Sequence, residues 1–218
     1  MTARSVRPPT TQEAVLAELR RLIARGEIRP GAQIVQDSLA DELGVSRVPL
    51  REALKMLEGE GLVTYRPHHG YFVTELSLAD LLEVYRIREL LETEAVTTGL
   101  PLMTDEDVAR LAEAEEEVRG ASTASDVAAM AQTNRRFHFA LIEGCSRPRL
   151  IRLIEVLWDS TEVYRAVYFT DAVNRDRILD EHRALVDAVG ARDLAAVLHV
   201  LDEHRRHAIE ALRPVLDR

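Results

Sequence analysis

Residues 36–73 read QDSLADELGVSRVPLREALKMLEGEGLVTYRPHHGYFV, and this stretch decides the fold of the first part of the chain. Apolar residues recur at helical spacing on both sides of Gly44, which predicts two helices joined by a tight turn. Ser46 stands where its side chain can cap the second helix. The apolar face of the first helix consists of Leu39, Ala40 and Leu43, and that of the second consists of Leu50, Ala53, Leu54 and Leu57.

The second of these helices carries a basic stripe. Arg47, Arg51 and Lys55 are spaced four residues apart, so they lie on one face of the helix, opposite the leucines. A stripe of this kind is by itself more often a solvated helix face. On the second helix of a helix-turn-helix, however, it suits the DNA major groove, where arginine side chains bond guanine edges or clamp phosphates.

The segment after the second helix favours the DNA interpretation. Residues 62–65 and 71–74 are spaced as two short strands around RPHHG, residues 66–70, which predicts a β-ribbon. The ribbon tip carries a glycine and two polar rings, a shape suited to a minor groove. Helix, turn, helix and ribbon together predict a winged helix-turn-helix that binds double-stranded DNA. The residues expected at the DNA are Ser46, Arg47, Pro49, Arg51, Lys55, His69 and Gly70.

Residues 42–63, ELGVSRVPLREALKMLEGEGLV, resemble the signature of the GntR family of transcriptional regulators. The resemblance implies that Arg47 and Arg51 contact bases or phosphates, and that Gly70 lies at the wing tip in the minor groove. Some members of the family have a further DNA-contacting arginine near the start of the preceding helix, where this chain has Asp37. That difference concerns the operator sequence and not the mode of binding.

Length and composition indicate a globular protein of two domains. The 218 residues suffice for a small domain and a larger one, and an apolar fraction of 46% is ample for a buried core. No apolar run approaches the roughly 18 residues of a membrane helix, and the N-terminus lacks the apolar segment of a signal peptide. The single cysteine, Cys145, excludes an internal disulfide framework. We therefore expect a soluble protein of the cytoplasm with no membrane partner.

The distribution of charge removes an objection to DNA binding. The net charge of −9 would by itself argue against a nucleic-acid partner. Residues 1–70 contain 10 Lys/Arg and 9 Asp/Glu, a net charge of +1, whereas residues 71–218 contain 18 and 28, a net charge of −10. The acidity therefore belongs to the second part of the chain. Because the predicted DNA-binding domain has almost no net charge, its affinity for DNA must depend on a few well-placed contacts. Dimerisation is expected to supply further affinity.

The rest of the chain is predicted to be helical. Thr10 and Glu13 form the pattern of a capping box, which opens the first helix. After residue 77 the apolar pattern is helical throughout, and six helices are predicted at about 77–99, 104–120, 125–144, 147–170, 174–190 and 192–213. Their short connections imply an antiparallel bundle. The predicted fold class is mainly α, with a winged helix-turn-helix in residues 1–75 and a six-helix bundle in residues 76–218.

Three histidines stand among the apolar residues of the predicted bundle helices. His138 shares the apolar stripe of the third helix with Asn134, while His182 and His204 lie in those of the fifth and sixth helices. Each histidine alone is more often a hydrogen-bonded core residue. Side chains from facing bundle helices can converge on one point, and neutral imidazoles are good ligands for zinc or nickel. Spacing alone leaves a metal site and core histidines as open alternatives.

Residues 134–150, NRRFHFALIEGCSRPRL, and 181–189, EHRALVDAV, with the helix around His204, resemble the effector domain of the FadR-type branch of the GntR family, the FCD domain. In that domain, three helices each contribute a histidine to a divalent metal ion, with an acidic residue four positions before the first histidine. The ligands implied here are Asn134, His138, His182 and His204. Asn134 replaces the aspartate of many members, and a neutral amide oxygen binds transition metals more weakly. The resemblance also implies that residues 76–218 bind an effector and dimerise.

Arg88 is a candidate effector-binding residue, because it falls in the apolar stripe of the first bundle helix. A buried guanidinium must be paired. Its partner is either Glu92, four residues on, or the carboxylate of a small effector, which arginine binds bidentately. Members with this domain commonly sense organic acids. Further candidates on an inward face of the fourth helix are Thr161, Tyr164 and Tyr168, although aromatic residues at helical spacing more often form plain core.

These observations predict a ligand-responsive transcriptional regulator, a repressor that acts as a homodimer on an inverted-repeat operator. Its helical domain is expected to bind a divalent metal and a small carboxylate effector. Three alternatives remain: the metal itself is the signal, the bundle serves only dimerisation, or the bundle is a metal-dependent enzyme. Against the enzyme, no acidic residue stands as a general base within the histidine stripes. We therefore expect a regulator with no catalytic residues.

Overall fold

The structure is a computed structural model and describes residues 10–24, 26–75 and 77–217. The chain divides into two compact units, Met1–Glu75 and Leu76–Arg218. The first unit combines helices with a small sheet, and the described part of the second contains helices joined by short turns and loops, with no strand. The predicted fold class, mainly α with an N-terminal winged helix-turn-helix, is confirmed.

The described part of the first unit contains three helices and three short strands. They are α1 (Thr11–Ala24), β1 (Gln33–Ile34), α2 (Gln36–Glu42), α3 (Arg47–Gly59), β2 (Val63–Arg66) and β3 (Gly70–Val73). The strands form one antiparallel sheet in the order β1-β3-β2, in which Val63 lies opposite Val73. The sequence prediction omitted β1, because two residues are too few to show an alternating pattern.

Local signals explain where the first helices begin and turn. Thr10 and Glu13 form the predicted capping box, since Thr10 Oγ1 accepts the Glu13 amide at 3.2 Å and Glu13 accepts the Thr10 amide at 2.6 Å. The turn between α2 and α3 passes through Gly44 at φ +64°, a conformation that glycine adopts without steric cost. Ser46 occupies the N-cap position of α3, but its side chain does not form the expected capping hydrogen bond.

The core of the first unit lies beneath α3 and the sheet. Leu50, Ala53, Leu54 and Leu57 of α3 are fully buried, as their spacing predicts, whereas Leu43 at the end of α2 is only half-buried. The other buried apolar residues are Val15, Leu16, Leu19, Leu22, Ile23, Ile34, Leu39, Ala40, Leu62, Val63, Tyr71 and Val73. Because the leucine face of α3 is buried, the opposite face must point into solvent.

The second unit contains seven α-helices within residues 77–217. They are α4 (Leu78–Gly99), α5 (Asp105–Thr123), α6 (Val127–Ile142), α7 (Pro148–Ser160), α8 (Glu162–Phe169), α9 (Ala172–Gly190) and α10 (Leu194–Leu216), with short 3-10 turns at Leu100–Leu102 and Glu143–Cys145. The prediction that α5 ends at Gly120 is wrong by three residues, because the helix continues to Thr123. No helix in the described ranges is both long and apolar enough to span a bilayer.

The predicted fourth bundle helix, residues 147–170, is in fact two helices. The backbone at Thr161 leaves helical geometry, with φ −102° and ψ 11°. Its hydroxyl donates back to the carbonyls of Leu157 and Trp158, and Arg165 Nη2 donates to the same Trp158 carbonyl at 2.6 Å. These side-chain bonds replace part of the backbone ladder. The six-helix prediction is therefore corrected to seven, because a break of this kind depends on contacts that apolar spacing does not reveal.

The bundle packs α4 against α7 and α10, α5 against α6 and α9, and α9 against α10. Its interior contains an unusual number of polar side chains. They are Arg88, Glu92, Glu115, Ser122, Thr133, Asn134, His138, Thr161, Arg165, His182 and Arg205. Buried polar groups are costly unless they are hydrogen-bonded or bind something. The buried polar side chains therefore make the interior of the bundle the candidate binding site of the second unit.

Candidate DNA interface and candidate metal and ligand site

The exposed face of α3 presents the predicted basic stripe. Arg47, Arg51 and Lys55 are all exposed, on the side of the helix opposite its buried leucines. Ser46 is exposed at the start of the same helix, and Pro49 is half-buried. The stripe therefore has the position that a major-groove contact requires.

Two of the three cations on α3 form surface ion pairs. Arg47 Nε lies 2.7 Å from Asp37 Oδ1, and Lys55 Nζ lies 2.9 Å from Glu52 Oε1. Exposed pairs of this kind contribute little free energy, so a phosphate or a base can compete for either cation. Arg51 makes no ion pair with any described residue, and its guanidinium is therefore the readiest of the three to bind DNA.

The β-ribbon ends in the predicted wing tip. His69 donates its amide to the Arg66 carbonyl at 2.9 Å, and its own carbonyl accepts the Gln33 side chain at 2.6 Å. Gly70 follows at φ +84°, a conformation that favours glycine, and His68 also has a positive φ of 64°. The tip is thus a tight turn that leaves the His69 ring exposed.

In the second unit, three helices bring three histidines together. His138 lies on α6, His182 on α9 and His204 on α10. One nitrogen of each ring lies within 4.8 Å of the corresponding nitrogens of the other two. The ring centroids are 5.0 to 5.4 Å apart. The inward histidines predicted from three separate stretches of sequence therefore form one cluster.

The polar atoms of this cluster are buried without partners. Among the described residues, none hydrogen-bonds His138 Nε2, either ring nitrogen of His182, or Asn134 Oδ1. Leaving such groups unsatisfied costs roughly 1–3 kcal/mol each. Burial, and then the neighbouring imidazoles, hold the pKa of His138 and of His182 well below the ordinary histidine value. Both rings are therefore neutral, the form that can bind a metal ion.

A carboxylate outside the cluster orients the third histidine. Glu181 Oε2 lies 2.6 Å from His204 Nδ1, and Glu181 Oε1 lies 2.5 Å from His207 Nδ1. Burial raises the pKa of Glu181, but its bonds to the two imidazoles outweigh that effect and lower it overall. An ionised Glu181 favours the tautomer of His204 that carries its proton on Nδ1. That tautomer leaves Nε2 as the atom that can coordinate a metal ion.

The donor set fits a divalent transition metal. Three imidazole nitrogens and one amide oxygen are ligands of the type that zinc and nickel accept. With metal–nitrogen bonds near 2.1 Å, opposite ligands lie at most about 4.2 Å apart. The nitrogens here are within 4.8 Å, so small ring movements would suffice.

Next to the histidines lies a cluster of buried charges around Trp158. Glu92 accepts hydrogen bonds from Arg88 Nε at 2.9 Å, from Trp158 Nε1 at 2.8 Å and from Arg205 Nη1 at 3.0 Å. Burial raises the pKa of Glu92, but the positive charges of Arg88 and Arg205 outweigh it and lower that pKa overall. The carboxylate is therefore ionised. Of the two partners that the sequence allowed for Arg88, the structure shows Glu92.

Two guanidiniums in this cluster keep unused donors. Arg88 Nη1 is buried without a partner among the described residues, and so is Arg165 Nε. Both guanidiniums lie over the Trp158 ring, at 4.0 Å for Arg88 and 4.5 Å for Arg165. The other bonds of Arg165 go to the Thr161 hydroxyl and the Trp158 carbonyl, each at 2.6 Å.

A narrow internal cavity joins the two clusters. It is lined by Tyr85, Arg88, Asn134, Trp158, Arg165, Tyr168, Phe169, Ile178, His204, Arg205 and Ala208. Its volume of about 20 Å³ is enough for a single water. A ligand of several heavy atoms would therefore require side chains to move.

The predicted effector residues take different positions around this cavity. Arg88 and Tyr168 line it, whereas Tyr164 and Thr161 are not among its lining residues. The Tyr164 hydroxyl instead accepts the Ser77 amide at 2.9 Å and donates to the Asp80 carboxylate at 2.9 Å. Thr161 holds Arg165 in place. These two residues therefore support the helices around the cavity and do not face it.

Two family models match the chain, and they divide it where the two units meet. Residues 11–73 match the model described as bacterial regulatory proteins, gntR family. Residues 83–207, more than half of the chain, match the FCD domain. The chain belongs to the GntR family. It has the FCD effector domain of the FadR-type branch, as its sequence motifs indicated.

Related proteins extend over nearly the whole of this GntR-family chain. The uncharacterized HTH-type transcriptional regulator YdhC of Bacillus subtilis is 32% identical and aligns with 92% of this chain and 90% of its own. The HTH-type transcriptional repressor GlaR of Escherichia coli is 28% identical, over 85% of this chain and 88% of its own. The solved structure of E. coli McbR/YncC superposes with a TM-score of 0.81 at 27% identity, covering 94% of this chain and 98% of that one. The protein is a DNA-binding transcriptional regulator and not an enzyme.

Sequence reasoning about this GntR regulator missed three residues of the interior. Arg165 and Arg205 carry a detectable signal, since each falls at helical spacing within an apolar face. Arg205 lies between Leu201 and Ala208, and both neighbours are buried. Glu181 carries no such signal, because only the packing of α9 against α10 places its carboxylate beside His204.

Proposed function

We propose that this protein is a ligand-responsive repressor that acts as a homodimer, binds one divalent metal ion and takes a small organic acid as its effector. One observation carries the proposal: in a regulator's effector domain, a cluster of three histidines lies beside a cavity whose wall contains two of the proposed ligands, Asn134 and His204, together with buried guanidiniums. As a regulator of transcription it would work in the cytoplasm, where bacterial DNA lies.

On the DNA side, each copy would place α3 in a major groove and the wing tip in the adjacent minor groove. Arg51 is exposed and forms no ion pair within the described part of the chain, which supports a role in base contact. Arg47 would exchange its exposed partner Asp37 for a phosphate, at little cost in free energy. Ser46, Pro49, Lys55, His69 and Gly70 complete the proposed contact surface. Two copies related by a two-fold axis would read an inverted repeat.

The metal would be held by His138, His182 and His204, with the amide oxygen of Asn134 as a weaker fourth ligand. A bound zinc or nickel ion supplies a Lewis-acidic position that a carboxylate oxygen of the effector can fill. Glu181 would keep Nδ1 of His204 protonated. Around this position, Arg88 adds a free Nη1 donor, and Tyr168 adds part of the cavity wall. Thr161 and Tyr164 would act indirectly, by holding α7, α8 and the start of α4 in place.

The dimer is proposed to form through α4 and α7. These helices pack against each other and expose large apolar side chains, Ile87 and Leu90 on α4 and Leu153 and Val156 on α7. An exposed apolar surface of this kind in an otherwise charged protein is typical of a protein interface. A second copy of the chain can cover this apolar surface symmetrically, since an isologous dimer contact pairs the same surface of both copies.

Leu90→Glu should therefore separate the dimer. Leu90 is 55% exposed in the single chain, and a carboxylate buried there in both copies would raise the dimer dissociation constant by about 100-fold or more. Size-exclusion chromatography with light scattering at micromolar concentration measures this directly. Leu102→Glu is the matched control, because Leu102 is 63% exposed and lies outside α4 and α7. If the Leu90 variant stays dimeric, this face is not the interface.

Repression relieved by ligand is the proposed regulatory logic. The E. coli relative GlaR is named as a repressor, and a dimer bound at an operator can exclude polymerase. An effector can change DNA affinity only if it binds the DNA-competent and DNA-incompetent arrangements with different affinities. Because the cavity is narrow, ligand entry must displace side chains of α4, α8 or α10, which provides such a difference.

The proposal is tested on DNA that the protein selects for itself. Zinc-loaded full-length protein is used to enrich duplexes from a random pool, and binding of the selected duplex is followed by fluorescence anisotropy. Small carboxylates at millimolar concentration should include at least one that lowers the affinity by about 5- to 150-fold, the usual range of coupling between sites. Prior chelation of the metal should remove that response.

Other outcomes separate the alternatives. A DNA affinity that follows zinc or nickel alone, with no response to any acid, favours a regulator for which the metal is the signal. An acid response that survives chelation contradicts the metal-assisted site. If neither metal nor acid changes the affinity, the bundle serves dimerisation alone.

A further inference from the structure

Arg165 is a buried guanidinium that has no carboxylate partner among the described residues. The residue is only 7% exposed. Its two hydrogen bonds go to neutral groups, the Thr161 hydroxyl and the Trp158 carbonyl, and its Nε has no partner among the described residues. A buried charge normally has a counter-charge in contact with it. No described residue of the cavity wall places such a counter-charge in contact with Arg165.

The acidic groups that pair with the other two guanidiniums of the cavity are Glu92 and Asp202. Glu92, the buried carboxylate, is shared by Arg88 and Arg205. Asp202, which is largely exposed, also pairs with Arg205. Three guanidiniums line the cavity, and the buried carboxylate of Glu92 pairs with two of them, Arg88 and Arg205. The lining residues themselves include these three guanidiniums and no carboxylate, so the cavity wall carries a surplus of positive charge.

Burial beside another positive charge lowers the pKa of Arg165 itself. Burial and the nearby positive charge of Arg88 lower the pKa of Arg165 to about 10, although Glu162 and Asp159 oppose the shift through space. The guanidinium is still charged at neutral pH. It is nevertheless held in an environment that disfavours its charge, and an anion in the cavity would relieve this.

We propose that the effector is an acid with two carboxylates, and that Arg165, together with the free Nη1 of Arg88, binds the carboxylate that is not directed at the three histidines. The inference rests on the proposed function and adds the charge class of the ligand. Asn134 and His204 line the cavity together with the arginines. A diacid can therefore satisfy both sets of groups, whereas a monoacid leaves one set unpaired.

The protein contains its own reporter for this site. Trp158 is the single tryptophan of the chain, and its ring lies under both Arg88 and Arg165. A ligand that draws either guanidinium away from the ring must change the tryptophan environment. Intrinsic fluorescence therefore reports occupancy of the cavity without a label.

The test compares acids of equal chain length. Zinc-loaded full-length protein is titrated with malonate, succinate and glutarate, and with propionate, butyrate and pentanoate, each pair differing by one carboxylate. Inorganic phosphate is included as a compact anion. At least one diacid should bind about 10- to 100-fold more tightly than its monoacid partner, as expected for an added pair of charge-assisted hydrogen bonds.

The variant Arg165→Gln tests whether Arg165 causes the tighter binding of diacids. It should reduce diacid affinity by about tenfold or more and leave monoacid affinity within about threefold, so that the preference is lost. Arg165→Lys should restore part of it, since lysine keeps the charge but not the forked geometry. Arg110→Gln is the control, because it removes the same charge from α5, where Arg110 pairs with Glu106 and Asp107 on the surface. Thermal unfolding verifies that each variant is folded.

The possible failures are distinguishable. Equal binding of monoacids and diacids overturns this inference and leaves the proposed acid-responsive function standing. Equal loss of both acid classes in Arg165→Gln overturns the assignment to Arg165, and phosphate binding more tightly than every diacid overturns the dicarboxylate class. If no acid of either class binds the zinc-loaded protein, the inference and the proposed effector fail together.

Discussion

Arg51→Ala should lower the affinity for the selected operator by about 100-fold or more while the fold and the dimer remain intact. Arg51 lies in the middle of the exposed face of α3 and has no ion pair to release among the described residues. A good bidentate base contact contributes about 1–3 kcal/mol. A dimer loses two such contacts, and about 2–6 kcal/mol corresponds to roughly 30- to 20,000-fold in affinity.

The measurement is fluorescence anisotropy on the operator and on a scrambled duplex of the same length. The loss should be much larger on the operator, because a base contact carries sequence information and a phosphate contact does not. Arg21→Ala is the control within the same unit, since Arg21 lies on α1 and is paired with Glu18 and Glu27. Operator affinity unchanged in the Arg51 variant would show that α3 is not the recognition helix.

His182→Ala should lower the affinity for zinc by about 100-fold or more and remove the acid response. Both ring nitrogens of His182 are buried without partners among the described residues, and the ring is stacked on Phe137 at 3.9 Å. The imidazole therefore has no hydrogen-bonding role that would explain its place in the core. Loss of groups that merely orient metal ligands typically costs 10- to 100-fold in metal affinity, and loss of a ligand should cost at least as much.

Metal content by mass spectrometry and zinc titration by calorimetry measure this effect. His199→Ala is the matched control, because His199 is exposed on α10 and belongs to no cluster with the other three histidines. The variant should also lose the rise in unfolding temperature that zinc gives the native protein. Full zinc affinity in His182→Ala would disprove the metal site, and an intact acid response would separate the effector from the metal.

The DNA-binding unit is the part of the fold that sequence patterns describe best. Its signals are local: the spacing of Leu50, Ala53, Leu54 and Leu57, the glycine at position 44, and the capping box at Thr10 and Glu13. Each operates within a few residues, so no knowledge of the tertiary structure is needed. The strand β1 is the exception, since residues 33 and 34 become a strand only by pairing with β3.

In the bundle, sequence patterns identified most helices but not the break at Thr161. Helical spacing continues through residues 147–170, because the same inward face is used before and after the break. The interruption arises when Arg165, buried by the surrounding helices, takes the Trp158 carbonyl as a hydrogen-bond partner. No periodic pattern contains that information.

The amino-acid sequence by itself determined which residues of the bundle point inward, His138, His182 and His204 among them, because inward direction follows from helical period alone. Tertiary structure decided which of those inward groups meet. It placed Glu181 beside His204, gave Arg88 the carboxylate of Glu92, and left Arg165 with none from the residues that the structure describes. Hydrogen bonds and ion pairs require contact within about 3–4 Å. Contacts between residues far apart in the chain are made only when the helices pack.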